Sequence, residues 1–283
     1  MHFVIIGASR GLGAAMVDEC LKLSDAFVIG LGRSEKREIE NISQWELSGR
    51  FRYHQVDVAC EECRAVLEDI CKVLPSEPVC VIFNAALLDP DVSDDGDLVY
   101  DTYHATSMVV VVNFGHVLDV FGSHLRRNNG IVVGISSTIV LAPLVQEKML
   151  AYPASKAYLT AALRSLRMLW RDQVRIMTVL LGHVGDKKFR KMPSWIVPSY
   201  ETTAKKIITA TQREFVPSRL FYPYATAAAY RLLGLVPDRI SSVIFRRIRI
   251  LLRFAMMLSM TLDMIECGEL LDFCDMLECE EMM

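Results

Sequence analysis

The sequence predicts a doubly wound α/β fold: a parallel sheet of seven strands with helices on both faces, followed by a helical C-terminal extension. Three observations carry this prediction. Short apolar runs rich in β-branched residues alternate with segments of helical spacing through most of the first 180 residues, and uniformly apolar strands suit a parallel sheet covered on both sides. The first run ends in glycines at positions 7, 11 and 13, directly before a helical pattern. Hydrophobic residues make up 52% of the 283 and charged residues 23%, a balance that builds a large core and rules against global disorder.

Residues 3–6 form the first strand, 7–13 a glycine turn and 14–23 the first helix. Strand, glycine turn and helix together aim backbone N–H groups and a helix N-terminus at a phosphate, the Rossmann-type arrangement for a dinucleotide. Gly7 can supply the tight turn, Gly11 lets the backbone approach a pyrophosphate, and Gly13 lets the helix lie close to the strand. Ser9, Arg10 and Leu12 complete the candidate cofactor-facing set of this turn. The spacing is G-x-x-x-G-x-G, not the commoner G-x-G-x-x-G, and on its own it also fits an ordinary strand-to-helix turn.

Residues 26–31 read as a second buried strand, ending at Gly32-Arg33-Ser34. An acid at that position would bond a ribose 2′-hydroxyl, whereas an arginine can pair with a 2′-phosphate. No acid occupies 31–34, and Arg33 and Arg10 are both near, which favours NADP(H) over NAD; a solvated arginine at a strand end also fits. Residues 35–47 are a polar helix or loop. Residues 51–56 are a third strand ending at Asp57, which can accept a hydrogen bond from an adenine amino group or cap the next helix, over 60–73. Residues 78–83 are a fourth strand. The small Asn84-Ala85-Ala86 after it permits close approach of a cofactor.

The acidic stretch 87–97 reads as a solvated connection. Residues 101–125 read as a long buried helix despite the valines at 109–112, and 131–136 as a fifth strand entered through Asn128-Asn129-Gly130 and followed by Ser137. Tyr152-Pro153-Ala154-Ser155-Lys156 opens a helix to about residue 170, with Tyr152 and Lys156 on one face. A sixth strand over 174–181 ends in Gly182-His183-Val184-Gly185-Asp186. A helix over 203–213 and an edge strand over 219–222 complete the core.

At this point the chain resembles the short-chain dehydrogenase/reductase family. The carriers are G-A-S-R-G-L-G at 7–13, N-A-A at 84–86, I-S-S at 135–137 and Y-P-A-S-K at 152–156, in family order and at approximately family intervals over residues 1 to about 225. The resemblance implies a catalytic dinucleotide-binding domain over 1–225, an extension over 226–283, and hydride exchange between NADP(H) and a carbonyl or secondary alcohol. It implies that Tyr152 is the general acid/base, that Lys156 lowers the tyrosine pKa and binds the nicotinamide ribose, that Ser137 orients the substrate carbonyl, and that Val184 touches the nicotinamide amide. It also implies a homo-oligomer paired through the long helices after the fourth and fifth strands. The chemistry is coherent: a free tyrosine titrates near ~10, a cation one turn away favours its phenolate, and two hydroxyl donors stabilise charge growing on a carbonyl oxygen.

Four positions depart from the family pattern. Phe83-Asn84-Ala85-Ala86 replaces N-N-A-G. Counting back from Gly115 places the family asparagine at Val112, so Asn113 fills that role only through a slip of one. The interval from Ser137 to Tyr152 is two residues longer than usual. Gly182-His183-Val184-Gly185-Asp186 puts an acid where the family has threonine. Two of these, Asn113 and Asp186, motivate a rival reading: a nucleotide-binding regulator that keeps the fold without turnover.

Residues 186–200 occupy the place of a substrate lid. Lys187, Lys188, Arg190 and Lys191 with Trp195 suit an anionic or amphipathic, lipid-like carbonyl substrate; a solvated loop with one buried tryptophan is the alternative. Within 238–260, Arg239, Arg246, Arg247, Arg249 and Arg253 interleave with large aliphatics, a pattern for peripheral contact with an anionic membrane, for a cover over the substrate pocket or for a dimer contact. A third reading follows from it, a membrane-surface scaffold. Residues 263–281 carry eight acids and no bases, a solvated tail or a partner for the arginines.

A net charge of −3 makes no case for nucleic acid. Met1 runs almost directly into the first strand, with no signal peptide before it, and a reduced, cytoplasmic setting, peripheral to a membrane at most, is expected for the eight cysteines. Cys60-Glu-Glu-Cys63 has no companion C-x-x-C or H-x-x-x-H pair, so no metal centre is expected.

Overall fold

In the computed structural model, residues 1–60, 62–142, 148–185, 193–237 and 240 are described. The chain forms two units, Met1–Gly234 and Leu235–Met283, and every element below lies in the first. Seven strands build it: β1 (His2–Ile6), β2 (Phe27–Gly32), β3 (Phe51–Gln55), β4 (Val79–Phe83), β5 (Ile131–Ser137), β6 (Arg175–Leu181) and β7 (Arg219–Tyr222). They form one sheet in the order β3-β2-β1-β4-β5-β6-β7, and every pairing is parallel.

The central strands β1, β2 and β4 are almost wholly apolar because both faces are covered, whereas the edge strand β3 keeps Arg52 and Gln55 exposed. Alternate residues enter opposite layers: Phe3, Ile5, Cys80 and Ile82 face α1 (Gly11–Leu21), α2 (Ile42–Leu47) and α7 (Tyr200–Thr211). Val4, Ile6, Val81 and Phe83 face α3 (Cys63–Lys72), α5 (Asn113–Arg127) and α6 (Ala151–Leu169). This two-residue period across a buried pleat is what removes polar positions from the central strands. Trp45 of α2 is 1% exposed and places its indole N–H on Asp18 Oδ1 at 2.6 Å, so its burial leaves no orphan donor.

The segment expected to be one long buried helix is continuous from Tyr100 to Arg127 but not uniform. α4 (Tyr100–Ser107) passes through a π-helical stretch, Met108–Val112, into α5. The helix is long and apolar enough to cross a membrane, yet Phe114, Val117, Phe121 and Leu125 are spent in the core.

The unit also runs past the expected boundary at 225. α8 (Tyr224–Leu233) follows β7 and packs on the 3-10 turn Thr138–Leu141, so the division falls after Gly234. Except for Ile240, the basic segment 238–260 lies outside the described residues, as does the acidic run 263–281.

Candidate active site

In the pairing register Ile6 stands beside Leu31 and Phe83, and Ser137 beside Leu181, so these strands end together. Sheet order reverses between β1 and β4, and in a doubly wound sheet the crevice at the C-terminal strand ends is the ligand site. A cleft of about 1030 Å³ opens there.

The glycine turn forms one wall. Gly7 has φ +88° and lies so close to β4 that an added Cβ would stand 2.8 Å from Ala85 N. Asn84 Nδ2 donates to Gly7 O at 2.8 Å and ties the end of β4 to the turn. Gly13 packs against the backbone of Gly7, where a Cβ would be driven into the Gly7 carbonyl, so helix and strand meet as expected. Gly7, Ser9, Arg10 and Leu12 line the cleft, as do Asn84 and Ala85. Gly11, with φ +57°, and Gly13 support the turn without lining it.

The β2 end brings Arg33 and Ser34 to the cleft that Arg10 also lines. Both arginines are exposed, and no carboxylate among the described residues forms an ion pair with either. Beneath them the buried Tyr53 donates to Ser34 O at 2.9 Å, and burial raises its phenol while a hydrogen bond with Ser9 partly offsets the rise. Asp57 also lines the cleft, and its Oδ1 accepts from Ala59 N at 2.8 Å, capping the turn ahead of α3.

The opposite wall holds Ser137, Tyr152 and Lys156, with Val184 after β6. Ser137 ends β5, where its Oγ donates to Leu181 O and accepts from Ile139 N, both at 3.3 Å. Lys156 is 3% exposed, donates from Nζ to Ile135 O at 2.7 Å, and sits 5.7 Å from the centre of the Tyr152 ring. Burial lowers its pKa to about 8. On Tyr152 burial is again the largest effect. It raises the phenol, a hydrogen bond with Ser137 partly offsets the rise, and the Tyr230 phenol adds to it. The net direction is opposite to the lowering expected from Lys156, because burial of the phenol is the largest effect on it.

Asn113 is not among the cleft residues. The π stretch immediately before it adds one residue to the turn and leaves Val112 outward and Asn113 buried at 1%. There its Nδ2 donates to Met108 O at 3.1 Å and its Oδ1 meets His116 Nδ1 at 3.2 Å. Trp195 is 64% exposed, which overturns the reading that buries it. Lys187, Lys188, Arg190, Lys191 and Asp186 lie outside the described residues. Cys60 is exposed and Cys63 buried, with burial raising the Cys63 thiol to about 11; among the described residues no group of three or more metal-ligating side chains forms.

Sequence reasoning misses two cleft residues, Tyr200 and Tyr230, and also Asp91. Tyr200 opens α7 and covers both Gly11 and Gly185; Ser199, whose Oγ accepts from Thr202 N at 3.2 Å, was the available cap signal for it. Tyr230 reaches the cleft from α8. Asp91 corrects the reading of 87–97 as wholly solvated. It is 1% exposed, and its oxygens accept from Leu150 N and Ala151 N at the start of α6.

The fold and cleft define a class: a doubly wound nucleotide-binding domain with serine, tyrosine and lysine facing one crevice. The family profile described as short chain dehydrogenase matches residues 1–195, and the chain belongs to that family, whose members are dehydrogenase/reductase oxidoreductases. Comparison with curated proteins returns no match. Among solved structures, a short-chain dehydrogenase from Streptomyces avermitilis is 17% identical with a TM-score of 0.68, covering 88% of this chain and 96% of that one. A short-chain dehydrogenase from Burkholderia cenocepacia J2315 in complex with NADP is 21% identical with a TM-score of 0.66, covering 87% and 96%. An NADPH-bound carbonyl reductase from chicken fatty liver is 17% identical with a TM-score of 0.64, covering 74% and 90%. At these identities the likeness is one of fold.

Proposed function

We propose that the protein is an NADP(H)-dependent oxidoreductase that interconverts a carbonyl and a secondary alcohol, acting as a reductase on an apolar, lipid-like ketone. The observation that carries this reading is the sharing of one cleft by Ser137, Tyr152 and Lys156 at one end and by Arg10 and Arg33 at the other. Two guanidinium groups beside Ser9 and Ser34 suit a 2′-phosphate. Leu88, Ile139, Met149 and Tyr230 give the substrate end an apolar lining.

NADPH, when bound, supplies the hydride. The chain's own residues handle the oxygen. Ser137 Oγ and Tyr152 Oη donate hydrogen bonds to the substrate carbonyl oxygen as its charge grows. The Tyr152 O–H bond then breaks, a new O–H bond forms on the substrate, and the alcohol leaves. A phenol raised by burial stays protonated at neutral pH, which is the form reduction needs. Lys156, fixed on Ile135 O, holds a donor group beneath the same wall. A second reading, a nucleotide-binding regulator, is favoured by the placement of Asn113 away from the cleft.

The test is NADPH and NADH oxidation over a panel of apolar ketones. Tyr152→Phe is expected to lower kcat by about 100-fold or more with NADPH binding kept. Replacing Arg10 and Arg33 together by alanine is expected to weaken NADPH far more than NADH. Tight NADPH binding with no turnover on any ketone favours the regulator, and equal losses for both nucleotides contradict the 2′-phosphate assignment.

A further inference from the structure

We propose that Asp91 is a positioning residue for Tyr152: its carboxylate, arriving from the loop after β4, holds the start of α6 and sets where the phenol stands in the cleft. The proposal rests on the reading of Tyr152 as the acid/base. Tyr152 is the second residue of α6, at the end where backbone N–H groups have no acceptor within the helix. Leu150 N donates to Asp91 Oδ1 and Ala151 N to Asp91 Oδ2, each at 2.6 Å. Two N–H donors thus take two carboxylate oxygens, and a negative charge meets the positive end of the helix. An amide would offer one acceptor, and a hydroxyl a shorter reach.

This is not a local cap. Asp91 stands 59 residues before Leu150 and 60 before Ala151, so the contact ties the loop after β4 to the start of α6. Its own backbone is fixed at the same point. Asp91 N donates to Lys148 O at 2.9 Å, Val92 N to Lys148 O at 3.1 Å, and Val99 N to Asp91 O at 2.9 Å. Lys148 Nζ closes the junction on Asp94. Leu88 and Asp89 on one side and Met149 on the other line the cleft beside it. A carboxylate only 1% exposed is costly unless paired, and both of its oxygens serve the residues immediately before the tyrosine. A misplacement of about 1 Å at a reacting group costs about 100-fold in rate, so this junction has leverage that its distance from the chemistry conceals.

The experiment compares the full-length wild type with Asp91→Ala, Asp91→Asn and Tyr152→Phe. Asp91→Ala is expected to lower kcat at least about tenfold while the NADPH dissociation constant, read by fluorescence, stays within about twofold. Asp91→Asn, which keeps one accepting oxygen, is expected to fall between. Unchanged kcat in Asp91→Ala overturns the proposal, as does a parallel loss of kcat, NADPH binding and melting temperature. If neither Asp91 variant folds, amide hydrogen exchange on the wild type decides. Protection at Leu150 and Ala151 comparable to the middle of α6 is expected, and exchange at unstructured rates overturns the proposal. The two failures are told apart by Tyr152→Phe, since full activity there overturns the acid/base reading itself whatever the exchange at α6 shows.

Discussion

Lys156 is a lysine held where a charge is expensive. Its ordinary pKa of 10.5 falls to about 8 through burial, with Ile135 O as its acceptor. Below pH 8 folded and unfolded chains both carry the proton, and the fold bears the full desolvation cost. Between pH 8 and 10.5 the unfolded chain binds a proton that the folded chain does not, so stability rises with pH across that window. Lys156→Met removes the dependence. It is expected to be more stable than wild type at pH 7, with the difference narrowing by ~3 kcal/mol between pH 8 and 10.5, at about 1.4 kcal/mol for each pH unit. Urea unfolding at pH 7, 8.5 and 10.5 checks this, and a difference that stays flat across the three contradicts it. The expected gain in stability alongside lost turnover is the mark of a residue kept for chemistry rather than for the fold.

At the scale of elements, the join between β1 and α1 depends on glycine at position 13. A Cβ on Gly13 would be driven into the carbonyl of Gly7, which is backbone and cannot swing away, whereas Gly115 in α5 has nothing within 4 Å. Gly13→Ala is therefore expected to destabilise by ~2–3 kcal/mol through overpacking, and Gly115→Ala to be neutral or stabilising by up to ~1 kcal/mol as a helix-interior replacement. Denaturant midpoints measure both, and equal effects would mean that the turn has slack the packing does not show. The central strands were legible in the sequence because burial on both faces leaves β1, β2 and β4 almost wholly apolar, and Tyr152 and Lys156 because helical spacing puts them on one face. Three features were not. The π stretch at Met108–Val112 depends on packing rather than composition, and it is what turns Asn113 inward. α8 follows a chain already expected to be leaving the core. Asp91 sits in a run of acids that reads as solvated, and only its meeting with Leu150 and Ala151 marks it out.

At the scale of the whole molecule, the sheet order brings together residues far apart in the chain. The reversal between β1 and β4 opens the cleft, the β1 and β2 ends bring Arg10 and Arg33, and β5 with α6 brings Ser137, Tyr152 and Lys156. A nucleotide spanning that cleft with its 2′-phosphate at the arginines has its nicotinamide end toward the tyrosine, which makes hydride transfer the central claim. The most direct measurement uses NADPH carrying deuterium at both C4 positions of the nicotinamide, incubated with a panel of apolar ketones, and mass spectrometry of the alcohols formed. Deuterium on the carbinol carbon with the wild-type protein, and labelled alcohol formed about 100-fold or more slowly with Tyr152→Phe, is the expected result. NADPH held tightly by the wild type with no label in any alcohol is the result that would contradict it.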